Sequence, residues 1–377
     1  MTGTVGANLL AVRSHNAALV LDLLRRAGAD GISRLELAER TGLTPQAVSK
    51  ITARLRESGL ATEAGQRAST GGKPRTVLRL VPEAGHAVGV HLDRDELRVV
   101  LVDLTGAVVG ERGASLDLGA GGGVVVEAVA REVEGIVPEV AGAAGARPGS
   151  ATLPAPGHLL GVGVALPGPL DHAHGVLHRV TGFPEWDGFP LRDALVGRLG
   201  MPVVVDKDTN AAALGLAVGG EGGSFAYLHL GTGLGAGLVI GGGVHRGART
   251  GAGEFGHQVI QLDGPQCDCG NRGCIEALCL AAVARGDLAE AARVLGTGAA
   301  NLVGLLDIDL VLLGGRTVTA DPEPFVHGVD AVLIEHAHRE GAREAAVPVR
   351  VASGGGRVVA EGAAQLLLGP LFGRADG

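Results

Sequence analysis

Three of the four cysteines of this chain lie close together, in the stretch CDCGNRGC. They are Cys267, Cys269 and Cys274, and His257 precedes them on the same glycine-rich segment. Three thiolates and one imidazole form a tetrahedral ligand set for Zn²⁺, and the intervening glycines allow the backbone to turn tightly around one ion. Because four protein ligands leave no open coordination position, we expect a structural zinc ion as cofactor. The alternative is a group of reduced, buried cysteines without a metal.

Charge is distributed unevenly along the chain, whose formal net charge is −8. Residues 1–81 hold ten Arg and two Lys against six acidic residues, whereas residues 82–377 have a net charge of −14. A basic segment on an acidic body is typical of a nucleic-acid-binding module joined to a second unit, although a solvated charged face is the alternative. The sequence has no apolar run of bilayer length and no secretion signal, so we expect a cytoplasmic protein that does not bind membranes.

The basic segment contains the signals of a helix-turn-helix. Residues 8–27 have helical periodicity, Ser33 and Glu36 form a capping-box pattern that opens a second helix, and Thr44 followed by proline opens a third. This third helix is expected to enter the DNA major groove. Its predicted DNA contacts are Gln46, Ser49 and Lys50 at base edges and Arg54 at a phosphate.

A wing is predicted to follow the third helix, as two strands joined by a glycine-rich loop. Arg67, Lys73 and Arg75 lie in or beside this loop, where they are suited to contact the DNA backbone or minor groove. We therefore predict that residues 1–81 form a winged helix-turn-helix domain whose partner is double-stranded operator DNA. A three-helix dimerisation module is the alternative for this segment.

From about residue 84 onward, strands alternate with helices in two successive sets, which predicts an α/β body of two lobes with a cleft between them. The predicted first lobe comprises residues 84–204 and 353–377, and the second lobe, with the zinc ligands, residues 205–352. Asp208 follows the apolar strand VVVD, where a strand emerges into a cleft. Its carboxylate is suited to accept a proton from a hydroxyl, as in phosphoryl transfer, and equally suited to cap the next helix.

Five segments of the body together resemble the ROK family, which contains repressors, open reading frames and sugar kinases. They are GVALPGPLD, VVDKDTNAAALGLA, LGTGLGAGLVIGGGVHRGARTGAGEFGH, CDCGNRGCIEAL and DLVLLGG. The resemblance implies an actin-like, ribonuclease-H-type fold of two lobes, and members with an N-terminal winged helix are regulators of sugar metabolism genes. It also implies that Glu254, His257 and Glu276 contact sugar hydroxyls and that Asp208 corresponds to the catalytic base of the kinases.

The chain departs from the kinases of that family in the cleft. Their Asp-x-Gly-Gly-Thr loop, which holds ATP phosphates, is replaced by HLDRD at residues 91–95, where carboxylates are expected to repel a nucleotide. An asparagine that contacts sugar is replaced by Lys207, which is suited to bind a phosphorylated or acidic sugar, or to pair with Asp206 or Asp208. The stretch between CIEAL and DLVLLGG is also shorter than is usual in the family, which bears on cap-lobe packing and dimer contacts.

The sequence therefore predicts a sugar-responsive transcriptional regulator, most simply a repressor, that reads a palindrome as a homodimer or higher homo-oligomer. A small sugar or sugar phosphate is the expected effector. The predicted ligand-binding residues are Lys207, Asp208, Glu254, His257 and Glu276. No residue is expected to be catalytic. The alternative is an ATP-dependent sugar kinase with Asp208 as base, and a zinc sensor is a third hypothesis.

Overall fold

The computed structural model describes residues 15–67, 75–143, 159–339, 341 and 346–374. Its N-terminal unit consists of α1 (His15–Ala27), β1 (Ile32–Ser33), α2 (Arg34–Thr41), α3 (Pro45–Glu57), β2 (Ala61–Arg67) and β3 (Arg75–Leu80). The three strands form an antiparallel sheet of order β1-β3-β2 beside the three helices. This arrangement is the winged helix-turn-helix that the sequence predicted.

Side-chain caps fix the starts of α2 and α3, as predicted. Ser33 Oγ accepts a hydrogen bond from the Glu36 amide at 3.3 Å, and Glu36 Oε2 accepts one from the Ser33 amide at 2.9 Å. The Thr44 hydroxyl accepts a hydrogen bond from a backbone amide in the first turn of α3, at 3.2 Å. Each cap stabilises its helix by about 1 kcal/mol. Residues 8–14 of the predicted first helix and Lys73 of the predicted wing lie outside the described residues.

A five-stranded sheet forms the centre of the first lobe. Its strands are β4 (His86–Leu92), β5 (Glu96–Asp103), β6 (Val108–Ser115), β7 (Leu159–Leu166) and β10 (Val203–Lys207), in the order β10-β7-β4-β5-β6. The other elements of this lobe are α4 (Gly122–Ala143), β8 (Leu170–Asp171), β9 (Val176–Leu177) and α5 (Leu191–Leu199). Strands β4, β5 and β6 are successive and antiparallel, so they form a meander.

The second lobe repeats this topology. Its sheet contains β11 (Phe225–Leu230), β12 (Leu234–Ile240), β13 (Gly243–Val244), β14 (Leu310–Gly314) and β15 (Val349–Val351), in the order β13-β12-β11-β14-β15. Its helices are α7 (Ile275–Ala284), α8 (Leu288–Leu306), α9 (Arg316–Ala320) and α10 (Pro322–Arg339). In each sheet the first three strands are antiparallel and the last two are added in parallel, so the predicted two-lobed, actin-like α/β body is confirmed.

Two helices, α6 (Asp208–Val218) and α11 (Val358–Leu368), pack against each other between the sheets. Glycines make this close approach possible. A Cβ atom on Gly89 or Gly163 of the first sheet would lie 1.9 Å from a carbonyl oxygen of α11. A Cβ on Gly362 of α11 would lie 1.9 Å from the Ala211 carbonyl oxygen of α6. Backbone therefore rests directly on backbone at both contacts.

The boundary between the lobes differs from the predicted one. Strand β10 pairs with β7 as far as Lys207, opposite Leu166. The predicted boundary between residues 204 and 205 therefore falls inside a strand of the first sheet. The C-terminal segment from residue 353 does return to the first lobe, where α11 covers β4 and β7.

The N-terminal unit packs on the body through a continuous apolar core. Val20, Leu21 and Leu24 of α1 are buried in one cluster with Leu368 and Phe372 from the C-terminal segment. The position of the winged helix is thus set by residues from the other end of the described chain. Among the described residues, no helix has the length and apolar character needed to cross a bilayer.

Candidate functional site

A cleft between the lobes contains the residues that the sequence singled out for ligand binding. The β4–β5 hairpin and the end of β10 form its first-lobe side, and the β11–β12 turn and the start of α7 form its second-lobe side. The predicted ligand residues that line it are Lys207, Asp208, Glu254, His257 and Glu276. Residues distant in the sequence, on opposite lobes, therefore meet in one polar cavity.

Glu276 lies in the first turn of α7 and is 8% exposed. One of its carboxylate oxygens, Oε2, accepts a hydrogen bond from the Leu234 amide at 2.8 Å. Gly233 permits this approach, because a Cβ atom there would lie 3.1 Å from the same oxygen. The glycine-rich turn LGTGLG therefore positions a carboxylate.

Lys207 forms an ion pair with Glu254. Its Nζ lies 3.0 Å from Glu254 Oε1 and also donates to the Ala252 carbonyl oxygen. The alternative in which Lys207 pairs with Asp206 or Asp208 is not observed, since its Nζ pairs with Glu254. Asp206 points to the opposite face, because successive strand residues alternate. A buried cation and a 40% exposed carboxylate thus stand together at the cleft wall, with their charges balanced.

Asp206 is fully buried behind the cleft and pairs with Arg246 of the second lobe. Arg246 Nε and Nη2 lie 2.9 and 2.8 Å from Asp206 Oδ2. Oδ1 accepts hydrogen bonds from Asn210 Nδ2 at 3.0 Å and from the Lys207 amide at 2.8 Å. This network joins the two lobes beneath the cleft, and sequence reasoning did not identify it.

Asp208 is the first residue of α6, and its Oδ1 accepts a hydrogen bond from the Thr209 amide at 2.6 Å. Lys207 occupies the N-cap position, so the helix-cap role considered for Asp208 is not observed. Burial raises the pKa of Asp208, an effect that the neighbouring His229 opposes. His229 in turn bonds to the Tyr227 hydroxyl through Nδ1 at 2.9 Å. Asp208 is therefore a half-buried acceptor that faces a polar cleft.

The predicted zinc ligands meet at one point beside the cleft. The ligand atoms of His257, Cys267, Cys269 and Cys274 all lie within 4.8 Å of one another. Cys269 Sγ is 3.7 Å from Cys274 Sγ, and Cys267 Sγ is 3.8 Å from His257 Nδ1. Sulfurs bound tetrahedrally to one zinc ion at ~2.3 Å are about 3.8 Å apart, so the group has the spacing of a metal site. Cys279 is separate and buried in the second-lobe core.

The predicted DNA contacts lie on one face of the N-terminal unit. Val48, Thr52 and Leu55 are buried on the inner face of α3. The exposed outer face carries Gln46, Ser49, Lys50 and Arg54. Arg75 is exposed at the start of β3, opposite Arg67 of β2 in the ladder. The described DNA candidates therefore stand at the surface of the recognition helix and the wing.

Comparisons with known proteins agree with this division of the chain. A family model described as winged helix-turn-helix DNA-binding matches residues 19–62, and one described as ROK family matches residues 151–285. A xylose repressor of Caldicellulosiruptor bescii is 30% identical over 248 residues, which cover 65% of this chain. The matched part is 59% of that repressor, less than two thirds of its length.

Solved structures extend the comparison. A crystallised ROK hexokinase from Thermus thermophilus is 30% identical, with a TM-score of 0.58, over 74% of this chain and 96% of that one. The chain belongs to the ROK family. A ROK family transcriptional regulator, described as a homologue of the E. coli MLC protein, aligns over 96% of this chain and 98% of its own, with a TM-score of 0.73 and 21% identity. That likeness shows that the winged helix and the ROK body together have the fold of the regulator.

The β4–β5 hairpin of this ROK chain is held against the second lobe. Arg316 Nη2 lies 2.7 Å from Asp95 Oδ1 and 3.3 Å from Asp93 Oδ2. Asp93 Oδ1 also accepts a hydrogen bond from the Thr232 hydroxyl at 2.7 Å. Burial raises the pKa of Asp93, but the bonds from Thr232 and the Arg94 amide outweigh it, and the pKa is below its usual value. The hairpin carboxylates, which were expected to repel a nucleotide, thus form ion pairs with an arginine of the second lobe.

Three further residues of the ROK cleft were missed in the sequence. Arg94, His229 and Thr232 line it. Arg94 Nη2 donates to the Thr181 carbonyl oxygen at 3.4 Å, and its guanidinium carbon lies 5.4 Å from the centre of the Phe183 ring. His229 had a signal, since it is a polar residue that interrupts the otherwise apolar strand FAYLHL. Arg94 and Thr232 had none, because Thr232 meets Asp93 only where the lobes meet and Arg94 contacts a segment distant from it in the sequence.

Proposed function

We propose that this chain is a transcriptional repressor of carbohydrate genes that responds to a small sugar bound in the interlobe cleft. The observation that carries the proposal is the shared apolar core of α1 and the C-terminal segment, which joins a DNA-binding unit to a ligand cleft. The similarity to a xylose repressor supports it. A ligand changes DNA affinity only if it binds two arrangements of the lobes unequally. A regulator of this kind acts at the chromosome, in the cytoplasm, and we propose a homodimer on a palindromic operator.

The groups in the cleft suit a sugar. Asp208, Glu254 and Glu276 offer carboxylate acceptors, and Lys207 and His257 offer donors, which together make directional bonds to vicinal hydroxyls. Because Glu254 already balances the charge of Lys207, the site is better suited to bind hydroxyl groups than a phosphate. We therefore propose an unphosphorylated sugar as the ligand of the cleft.

We propose that the His257 and cysteine cluster holds a structural zinc ion. Nδ1 of His257 is directed at Cys267, while the same residue lines the cleft. Zinc at this point would fix the imidazole ring and leave its other edge for a sugar hydroxyl. The metal would supply rigidity and not chemistry, because the four protein ligands complete its coordination.

The kinase alternative requires a site for ATP phosphates, and the hairpin does not offer one. It has no glycine between His91 and Asp95, and Arg316 is already bound by two carboxylates there. Phosphoryl transfer depends on positioning of the phosphates. Release of ADP in the presence of ATP and a sugar, lost in Asp208→Asn, would establish the kinase and contradict the proposal.

Replacement of Lys50 by alanine is expected to weaken binding to the operator by about 1–3 kcal/mol, because a base-edge contact is lost. The measurement is fluorescence anisotropy at fixed salt, on a labelled duplex from the intergenic region beside the gene. Arg339→Ala, at the exposed end of α10, is the matched control and should bind normally. Unchanged affinity and selectivity in Lys50→Ala would contradict the assignment of α3.

Replacement of Asp208 by asparagine is expected to weaken sugar binding by about 1.5–3 kcal/mol, since hydrogen bonds to a charged acceptor have that strength. Operator affinity without sugar should be unchanged. Titration calorimetry against a panel of free and phosphorylated sugars measures the sugar affinity. Fluorescence anisotropy measures the operator affinity. Asp309→Asn, on the exposed surface, is the control. Preference for a phosphorylated sugar in this cleft would contradict the proposed ligand.

A further inference from the structure

A second cavity lies where the DNA-binding unit meets the body. It is bounded by the end of α1, the turn between β5 and β6, the end of α6, and α11. Its volume is about 560 Å³, within the range of ~300–1,000 Å³ that is usual for small-molecule sites. The sugar cleft is at the opposite end of α6, so the two cavities are distinct.

Positive charge is concentrated around this cavity. Arg25 and Arg26 both pair with the single carboxylate of Asp22, at 2.9 and 2.7 Å. Arg374 lies beside them, where burial lowers its pKa and the neighbouring charge of Arg25 lowers it further. Guanidinium groups nevertheless stay protonated in proteins. Among the described residues, Arg25 and Arg26 therefore share the carboxylate of Asp22 with Arg374 close by, and this excess of positive charge favours a further anion.

The other carboxylate of the cavity wall does not meet this need. Glu361 lines the cavity, but its Oε1 accepts from Arg357 Nε at 3.0 Å. The cavity also contains a polar group that calls for a donor. Gln365 is 6% exposed, and within the described part of the chain its Oε1 has no hydrogen-bond partner. A buried acceptor of this kind is normally satisfied by a ligand or a water molecule.

We propose that this cavity binds a small metabolite that carries a phosphate and a hydroxyl group. The phosphate would bind Arg25, Arg26 and Arg374, and the hydroxyl would donate a hydrogen bond to Gln365. Arginine forks match the geometry of phosphate oxygens and bind them with charge-assisted hydrogen bonds. The ligand would differ from that of the cleft, and the proposal goes beyond the proposed sugar response.

Binding here would connect the DNA-binding unit to both lobes. Arg25 and Arg26 belong to α1, whereas Gln365 belongs to α11, so one ligand would bridge them. Helix α6 extends from Asp208 in the cleft to this cavity, and Gly215 of α6 rests on Gly362 of α11. A phosphorylated ligand would thus fix the winged helix on the body at the end of the helix that begins in the sugar cleft.

Titration calorimetry on the full chain without DNA tests the proposal, with glycerol 3-phosphate as probe and glycerol and inorganic phosphate as comparisons. We expect saturable binding of glycerol 3-phosphate, weaker binding of phosphate and none of glycerol. Arg374→Gln should weaken it about tenfold or more, since a charge-assisted bond is lost. Arg339→Gln, an exposed arginine far from the cavity, is the matched control.

A second variant makes the test independent of the folding of the first. Ser353→Asp places a carboxylate on the exposed rim and should weaken the probe to a similar degree. Asp208→Asn in the cleft should leave the binding unchanged. Equal affinity of Arg374→Gln and Arg339→Gln, or loss of binding in Asp208→Asn, would overturn the proposal.

Discussion

Replacement of Cys269 by serine is expected to remove the metal from the protein and to lower its free energy of unfolding by more than about 4 kcal/mol. Cys269 is exposed, and an exposed substitution normally changes stability by no more than about 0.5 kcal/mol. A large effect at this position therefore requires that the thiolate bind an ion. Metal analysis should find about one zinc ion per chain in the parent protein, and thermal unfolding gives the stability.

Two control variants distinguish the effect of losing the metal from that of removing a cysteine or changing an exposed residue. Cys279→Ala removes a cysteine outside the cluster and should retain the zinc, whereas Asp268→Asn changes an exposed neighbour of Cys269 without removing a ligand. Sugar binding should also weaken in Cys269→Ser, because the ring of His257 loses its anchor. The zinc proposal is wrong if the parent protein takes up no metal, or if Cys269→Ser is as stable as Asp268→Asn.

Replacement of Arg246 by methionine is expected to lower the free energy of unfolding by about 3–5 kcal/mol, which is the usual cost of leaving one charge of a buried pair alone. Asp206 is 0% exposed, and Arg246 donates a hydrogen bond to its Oδ2 through Nε, with Nη2 2.8 Å from the same oxygen. Denaturant unfolding measures the change. Since the pair spans the lobes beneath the cleft, the sugar-induced change in operator affinity should also be smaller in Arg246→Met.

The double variant Asp206→Asn with Arg246→Met should recover much of this loss, because the amide keeps hydrogen-bonding capacity without an uncompensated charge. Arg293→Met is the exposed counterpart, from a surface pair with Glu290, and should cost no more than about 1 kcal/mol. Equal destabilisation by Arg246→Met and Arg293→Met would show that the buried pair contributes no more than a surface one.

Local features of the chain could be predicted from the sequence because they depend on neighbouring residues. The capping box of Ser33 and Glu36 and the antiparallel meander of β4 to β6 are of this kind. The grouping of His257 with Cys269 and the other thiols also followed, since short spacing on a glycine-rich segment restricts where the side chains can go. The lobe boundary predicted between residues 204 and 205, in contrast, falls inside strand β10, because local patterns do not show which sheet a strand joins.

Contacts between lobes could not be predicted in the same way. The pairing of Arg246 with Asp206, and that of Arg316 with Asp95, depends on where two sheets come to rest against each other. Charge left the partner of Lys207 open, because the sequence does not show that Glu254 lies beside it. Family resemblance identified residues of the cleft but not these partners, which are specific to how this chain packs.

The support of the winged helix by Leu368 and Phe372 has a consequence for biosynthesis. Domains generally begin to fold while the ribosome is still adding residues. Here the surface on which α1 rests is completed by almost the last described residues, and α11 covers strands translated much earlier. During synthesis, α1 therefore cannot reach its final packing before Leu368 and Phe372 have been added to the chain. A chain that stops before Leu368 would therefore lack part of the apolar surface that positions the winged helix on the body.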